Sequence, residues 1–170
     1  MKRHPSLHPL SEHHHHALVR ALEIRRAEQG PRAERSAALR QVGQTFVRFW
    51  KTAGRQHFRE EEEILLPAYA SHARLDDNPQ IMRMLAEHAL IRAKVEQLEK
   101  ALRARQPVDA EALALGQLLQ GHVRLEEDEI FPHIEAVLSE AELTALGARF
   151  TPLHKEKKRR RRRSAKRPPR

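Results

Sequence analysis

One stretch of the chain occurs twice, and it restricts the fold more than anything else in the sequence. The first copy is His57-Phe58-Arg59-Glu60-Glu61-Glu62-Glu63-Ile64-Leu65-Leu66-Pro67. The second is His122-Val123-Arg124-Leu125-Glu126-Glu127-Asp128-Glu129-Ile130-Phe131-Pro132. Each has a His, a Glu four positions on, further acids, an apolar pair and a Pro ten positions after the His. On a helix, residues i and i+4 share a face with Cβ atoms about 6 Å apart. Each copy therefore aims one imidazole and one carboxylate at a common point, a ligand set for a first-row transition metal. A single His-x-x-x-Glu is ordinarily a solvated pair on a helix surface. Two copies with proline in the same register favour a shared metal site.

The rest of the pattern is helical. Hydrophobic residues make up 39% of the chain and aromatics 4%, enough for a helical core and poor for a sheet. A first helix is expected over residues 12–28, N-capped by Ser11 and stopped at Gly30-Pro31, after a short extended arm (1–10) that holds Pro5 and Pro9. The second is expected over 33–70, with Leu39, Val42, Phe46, Phe49, Trp50, Ala53, Ile64 and Leu65 near a 3.6-residue period. Gly43 and Gly54 weaken it locally, and Pro67 should kink its end. Asn78-Pro79 opens a third helix that Gln106-Pro107 ends, Asp109 caps a fourth, and Ser139 with Glu142 forms a capping box for a short fifth that closes at Gly147. The expectation is an all-α, up-down-up-down four-helix bundle over 11–153, followed by a basic tail at 154–170.

With no cysteine, thiolate sites and disulfides are excluded, and metal donors are restricted to nitrogen and oxygen. Twelve histidines are available. His16-Ala17-Leu18-Val19-Arg20-Ala21 repeats as His88-Ala89-Leu90-Ile91-Arg92-Ala93, which ties the first helix to the third. A core ligand should have apolar residues on its own face at +3 and +7. His88 has Ile91 and Val95 there, and in the first helix His15 meets the test with Leu18 and Leu22. His14 is the next choice, with Ala17 and Ala21, and the local identity favours His16. The candidate ligands are therefore His15, His57, Glu61, His88, His122 and Glu126. Glu127 remains an alternative to Glu126, because the two acids are adjacent.

These residues resemble the hemerythrins and the wider HHE cation-binding domains. The resemblance covers roughly residues 10–150. It rests on an early His after Leu10-Ser11, the two His-x-x-x-Glu…Pro helices, and Glu87-His88. It implies a four-helix bundle around two non-haem iron ions, with histidines on each ion and two carboxylates bridging the pair. Manganese or zinc is compatible with the same donors. It further implies an open position for dioxygen or nitric oxide, with roles in sensing, iron storage or protection from oxidative stress. Oxygen carriers of the family have a second His one turn before the third-helix ligand; here that residue is Met84. Di-iron oxidases and peroxidases favour Glu-x-x-His, whereas this chain has His before Glu, so a binding protein is expected rather than an enzyme.

Charge is concentrated at one end. Eleven of the 32 Lys and Arg lie between Lys155 and Arg170 beside a single acid, while the rest of the chain holds 21 basic and 22 acidic residues. Such a tail is expected to be disordered and to meet nucleic acid or another anionic surface without sequence preference. No apolar run approaches the roughly 20 residues of a membrane span, and the start has no apolar segment of the secretory kind, so a cytoplasmic location is expected.

Overall fold

The computed structural model describes residues 3–150, so the expected tail lies outside the described residues. Five helical runs make a helical bundle. They are α1 (His8–Glu28), α2 (35–70), α3 (Pro79–Arg103), α4 (109–137) and α5 (Glu140–Gly147). α1 and α3 each pack against both α2 and α4. Among the described residues no helix is long and apolar enough to cross a membrane.

The start of the chain differs from expectation. A 3-10 turn at Pro5–Leu7 leads directly into α1, whose first residue is His8, so Ser11 lies inside the helix and caps nothing. Pro5 and Pro9 sit in first turns, where a missing N–H costs no hydrogen bond. Leu7 and Leu10 are fully buried and hold this segment in an apolar cluster with Leu143, Leu146 and Phe150. Gly147 permits the approach: a Cβ there would lie 2.8 Å from Ser6 Oγ. The fourth helix is also capped differently, because Val108 is its N-cap and Asp109 its first residue, with Ser36 Oγ donating to Asp109 at 2.7 Å. Ser139 and Glu142 form the expected capping box. α3 ends with Arg105 at φ 56°. There Arg105 N–H bonds Leu102 O and Gln106 N–H bonds Ala101 O, the paired bonds of a left-handed helix stop.

The two prolines do not end their helices. Each follows a wide turn, Glu61–Leu65 in α2 and Glu126–Ile130 in α4, after which helix resumes to Ala70 and Val137. In these turns Leu66 N–H bonds Glu61 O, and Phe131 N–H bonds Glu126 O, five residues back. Inside a regular helix the proline ring collides with the carbonyl four residues earlier; a widened turn relieves that collision. A third wide turn, Trp50–Gly54, lies under the Trp50 ring, which a Cβ on Gly54 would meet at 2.5 Å.

Two apolar clusters fill the interior. One holds Ala17, Ala21, Phe46, Trp50, Phe58, Ile91, Leu119 and Val123; the other holds Leu10, Leu65, Leu66, Met84, Ile130 and Ile134. Along every long helix, the residues of one cluster give way to those of the other beside a buried His or Glu: across His14 in α1, Glu61 in α2 and His88 in α3, and between His122 and Glu126 in α4. The polar groups thus form a layer between two dry cores.

Candidate metal centre

Five of the six residues picked from the sequence meet in this layer: His57, Glu61, His88, His122 and Glu126. His15 does not. It is exposed, and the imidazole α1 brings to the layer is that of His14. The +3/+7 test failed because the core face of α1 carries Ala17, Ala21 and Ile24, while Leu18 and Leu22 are only partly buried. Small residues face inward because the helices approach closely: Ile24 already lies 3.3 Å from where a Cβ on Gly116 of α4 would stand.

Two groups of donors share Glu126. The first is His14, His57, Glu61 and Glu126; the second is His88, His122 and Glu126. His14 Nε2 lies 2.9 Å from His57 Nε2 and 3.0 Å from Glu126 Oε2. His57 Nε2 is 3.3 Å from Glu61 Oε1, and His122 Nε2 is 2.9 Å from Glu126 Oε1. His88 Nε2 lies 3.4 Å from Glu61 Oε2 and 3.3 Å from Glu126 Oε1. Both carboxylates are fully buried, yet among the described residues both oxygens of Glu61 and Oε2 of Glu126 have no hydrogen-bond partner, nor has His122 Nε2. Unpaired carboxylate oxygens in a dry interior are costly unless a cation meets them. The close approaches of His14 to Glu126, His57 to Glu61 and His122 to Glu126, which lack hydrogen-bond geometry, fit lone pairs that converge on shared points. Imidazole and carboxylate in this mixture suit iron, and manganese or zinc as well. The residues present therefore fit a bound metal cation, and either donor group could hold one.

The outer ring nitrogens explain how the imidazoles are aimed. His14 Nδ1 lies 2.6 Å from Glu127, which pairs with Arg3 at 3.0 Å. His88 Nδ1 lies 2.7 Å from Glu62, which pairs with Arg92 at 2.7 Å. His122 Nδ1 lies 3.0 Å from Glu87, which pairs with Arg83 at 2.8 Å. A carboxylate on one ring nitrogen fixes the tautomer and turns the other nitrogen's lone pair inward. Glu62 and Glu127 each follow an inward acid in the wide turn, so successive carboxylates point to the centre and to the next helix's histidine. This geometry separates Glu126 from Glu127. His14 also stacks on Phe131, with Arg3 over the same ring, as His88 stacks on Phe58 under Arg92. The repeat at 57–67 and 122–132 could have pointed to Glu62 and Glu127; nothing in the sequence marks Arg3.

Protonation follows the same contacts. Burial opposes charge on His88, but Glu126, Glu61 and Glu62 push its pKa up to about 11. Burial likewise opposes charge on His14, and Glu126, Glu127 and Glu61 raise it well above the usual value. For Glu126, burial is outweighed by His122, His14 and His88, and its pKa falls well below the carboxylate range. Glu61 is lowered in the same way. Burial dominates at His57 and His13, lowering them to about 3 and about 4.

A small apolar cavity of about 20 Å³ adjoins the first donor group. Ala17, Phe46, Trp50, Phe58, Leu119 and Val123 line it together with His13, His14, His57 and His122. Met84, where oxygen carriers have a histidine, is fully buried in the other apolar cluster and contributes no donor.

A helical bundle with a buried layer of histidine and glutamate defines the class as a cation-binding helical domain. The chain belongs to the hemerythrin family: the model of the hemerythrin HHE cation-binding domain matches residues 8–134. Comparison with curated proteins and with solved structures gave no match.

Proposed function

We propose that this chain is a non-haem di-iron protein that binds dioxygen or nitric oxide, serving sensing, iron storage or protection from oxidative stress. The observation that carries this is the facing set of four imidazole nitrogens and two buried carboxylates whose oxygens lack partners. We read the bundle as up-down-up-down, because the chain passes the two apolar clusters in alternating order along α1, α2, α3 and α4.

His14, His57 and Glu61 would hold one ion and His88 and His122 the other, with Glu126 between them. When bound, the iron pair supplies an open position and electrons for a diatomic ligand. The chain supplies the rest. Glu127, Glu62 and Glu87 would hold three imidazoles with the inner nitrogen of each turned toward the ions. Trp50, Phe58, Leu119 and Val123 exclude bulk water from the cavity beside His14 and His57. That cavity exceeds the roughly 10–15 Å³ a single water requires, so it suits one molecule of one or two heavy atoms. With Met84 in place of a histidine, the two ends have two imidazoles each, which separates this chain from the oxygen carriers.

Anaerobic loading with ferrous iron tests the reading. Close to two iron ions per chain, and a visible charge-transfer band on exposure to air or nitric oxide, are expected. A colourless protein that retains zinc alone would overturn it, and sustained turnover of peroxide would move it among the enzymes.

A further inference from the structure

Three of the four inward imidazoles are braced from outside by a glutamate: His14 by Glu127, His88 by Glu62, His122 by Glu87. His57 is not, since its Nδ1 is buried with no partner among the described residues. The reason lies in the residue that precedes each ligand. In α3, Glu87 precedes His88 and reaches His122. In α1, the residue that precedes His14 is His13, and its ring stands 5.4 Å from that of His57. His13 is 3% exposed, and among the described residues both of its nitrogens lack hydrogen-bond partners. It lines the small cavity among Ala17, Phe46, Trp50 and Leu119.

An imidazole buried in apolar surroundings with neither nitrogen satisfied is costly, and it is kept where something else will meet it. A core-packing role would be filled at lower cost by Leu. A ligand role is disfavoured by position, because His13 belongs to neither donor group. We propose that His13 donates a hydrogen bond to the diatomic molecule held in the cavity, and so sets how tightly and how selectively that molecule is kept. This rests on the reading of the site as a gas-binding iron centre. The ligand class is a small diatomic whose outer atom gains negative charge on binding, dioxygen or nitric oxide. Carbon monoxide, which gains little, should be held without this advantage. A hydrogen bond to such a partly charged acceptor is stronger than one between neutral groups.

The test compares iron-loaded full-length protein with His13→Leu and His13→Gln, using nitric oxide as the probe. Iron per chain and the thermal midpoint are measured first, then the nitric oxide release rate and the N–O stretching frequency in H2O and D2O. The wild-type stretch should shift in D2O, and His13→Leu should abolish that shift and speed release about five- to tenfold at unchanged iron content. His13→Gln, which keeps a donor, should stay within about twofold of wild type. Equal release rates and stretches in wild type and His13→Leu would overturn the inference and leave the gas-binding reading standing. Loss of iron in His13→Leu would overturn it too, making His13 a ligand. Wild-type protein that carries iron but takes up no nitric oxide would overturn both.

Discussion

Replacing Glu126 by Gln asks most directly whether one carboxylate serves two ions. Glu126 is the residue common to both donor groups. Its oxygens face three imidazole nitrogens, those of His122 at 2.9 Å, His14 at 3.0 Å and His88 at 3.3 Å. Gln keeps the shape, removes the charge, and places an N–H2 where one oxygen met those lone pairs. A bound ion at a free concentration of 1,000 times its Kd stabilises the fold by about 4 kcal/mol, and two by about 8 kcal/mol. In a chain of this size each 1 kcal/mol moves the unfolding midpoint by roughly 2–4 °C. Iron should therefore raise the wild-type midpoint by roughly 15–30 °C. Glu126→Gln should retain no more than about half of that shift and no more than one ion per chain. Thermal unfolding followed by circular dichroism, with and without ferrous iron under nitrogen, supplies the midpoints, and elemental analysis supplies the count. His15→Ala is the control: an exposed side chain outside both donor groups should leave shift and count intact. Two ions per chain and an undiminished shift in Glu126→Gln would refute the shared-carboxylate reasoning.

Three further outcomes follow from the contacts around the centre. Glu87→Gln, which loosens the outer nitrogen of His122, should weaken metal binding by roughly 10- to 100-fold in a competition titration with a chelator; unchanged affinity would show that the Glu87 contact is incidental. Arg105→Gly should stabilise the protein by about 0.5–1 kcal/mol in urea unfolding, since φ 56° suits glycine and strains arginine; a destabilised variant would mean that the arginine side chain contributes more than its backbone costs. Hydrogen bonds from Ser139, with help from His72, hold the Glu142 pKa down at about 2 against an ordinary 4.5. A lowered folded-state pKa gives stability that is complete above pH 4.5 and fades as pH falls toward 2. Glu142→Gln should accordingly melt below wild type at neutral pH and converge on it in acid, and a gap independent of pH would count against the capping carboxylate.

What the sequence determined by itself is the periodic part of the molecule. The 3.6-residue pattern and the punctuation at Gly30-Pro31, Asn78-Pro79, Gln106-Pro107 and Ser139 place the helices, because these signals act within one or two turns of chain. The repeated His-x-x-x-Glu places His57 with Glu61 and His122 with Glu126, because i and i+4 share a face on any helix. The choice between His14 and His15 was decided by tertiary structure. It depends on how closely α1 approaches α4, which the small residues Ala17, Ala21 and Gly116 permit and no local period reports. The same holds for Arg3 reaching Glu127 across 124 residues, and for a wide turn that lets Pro67 and Pro132 pass within a helix. A histidine such as His13 acquires its meaning only when the cavity beside it closes, since burial and the lack of a partner belong to the packed chain and not to the residue.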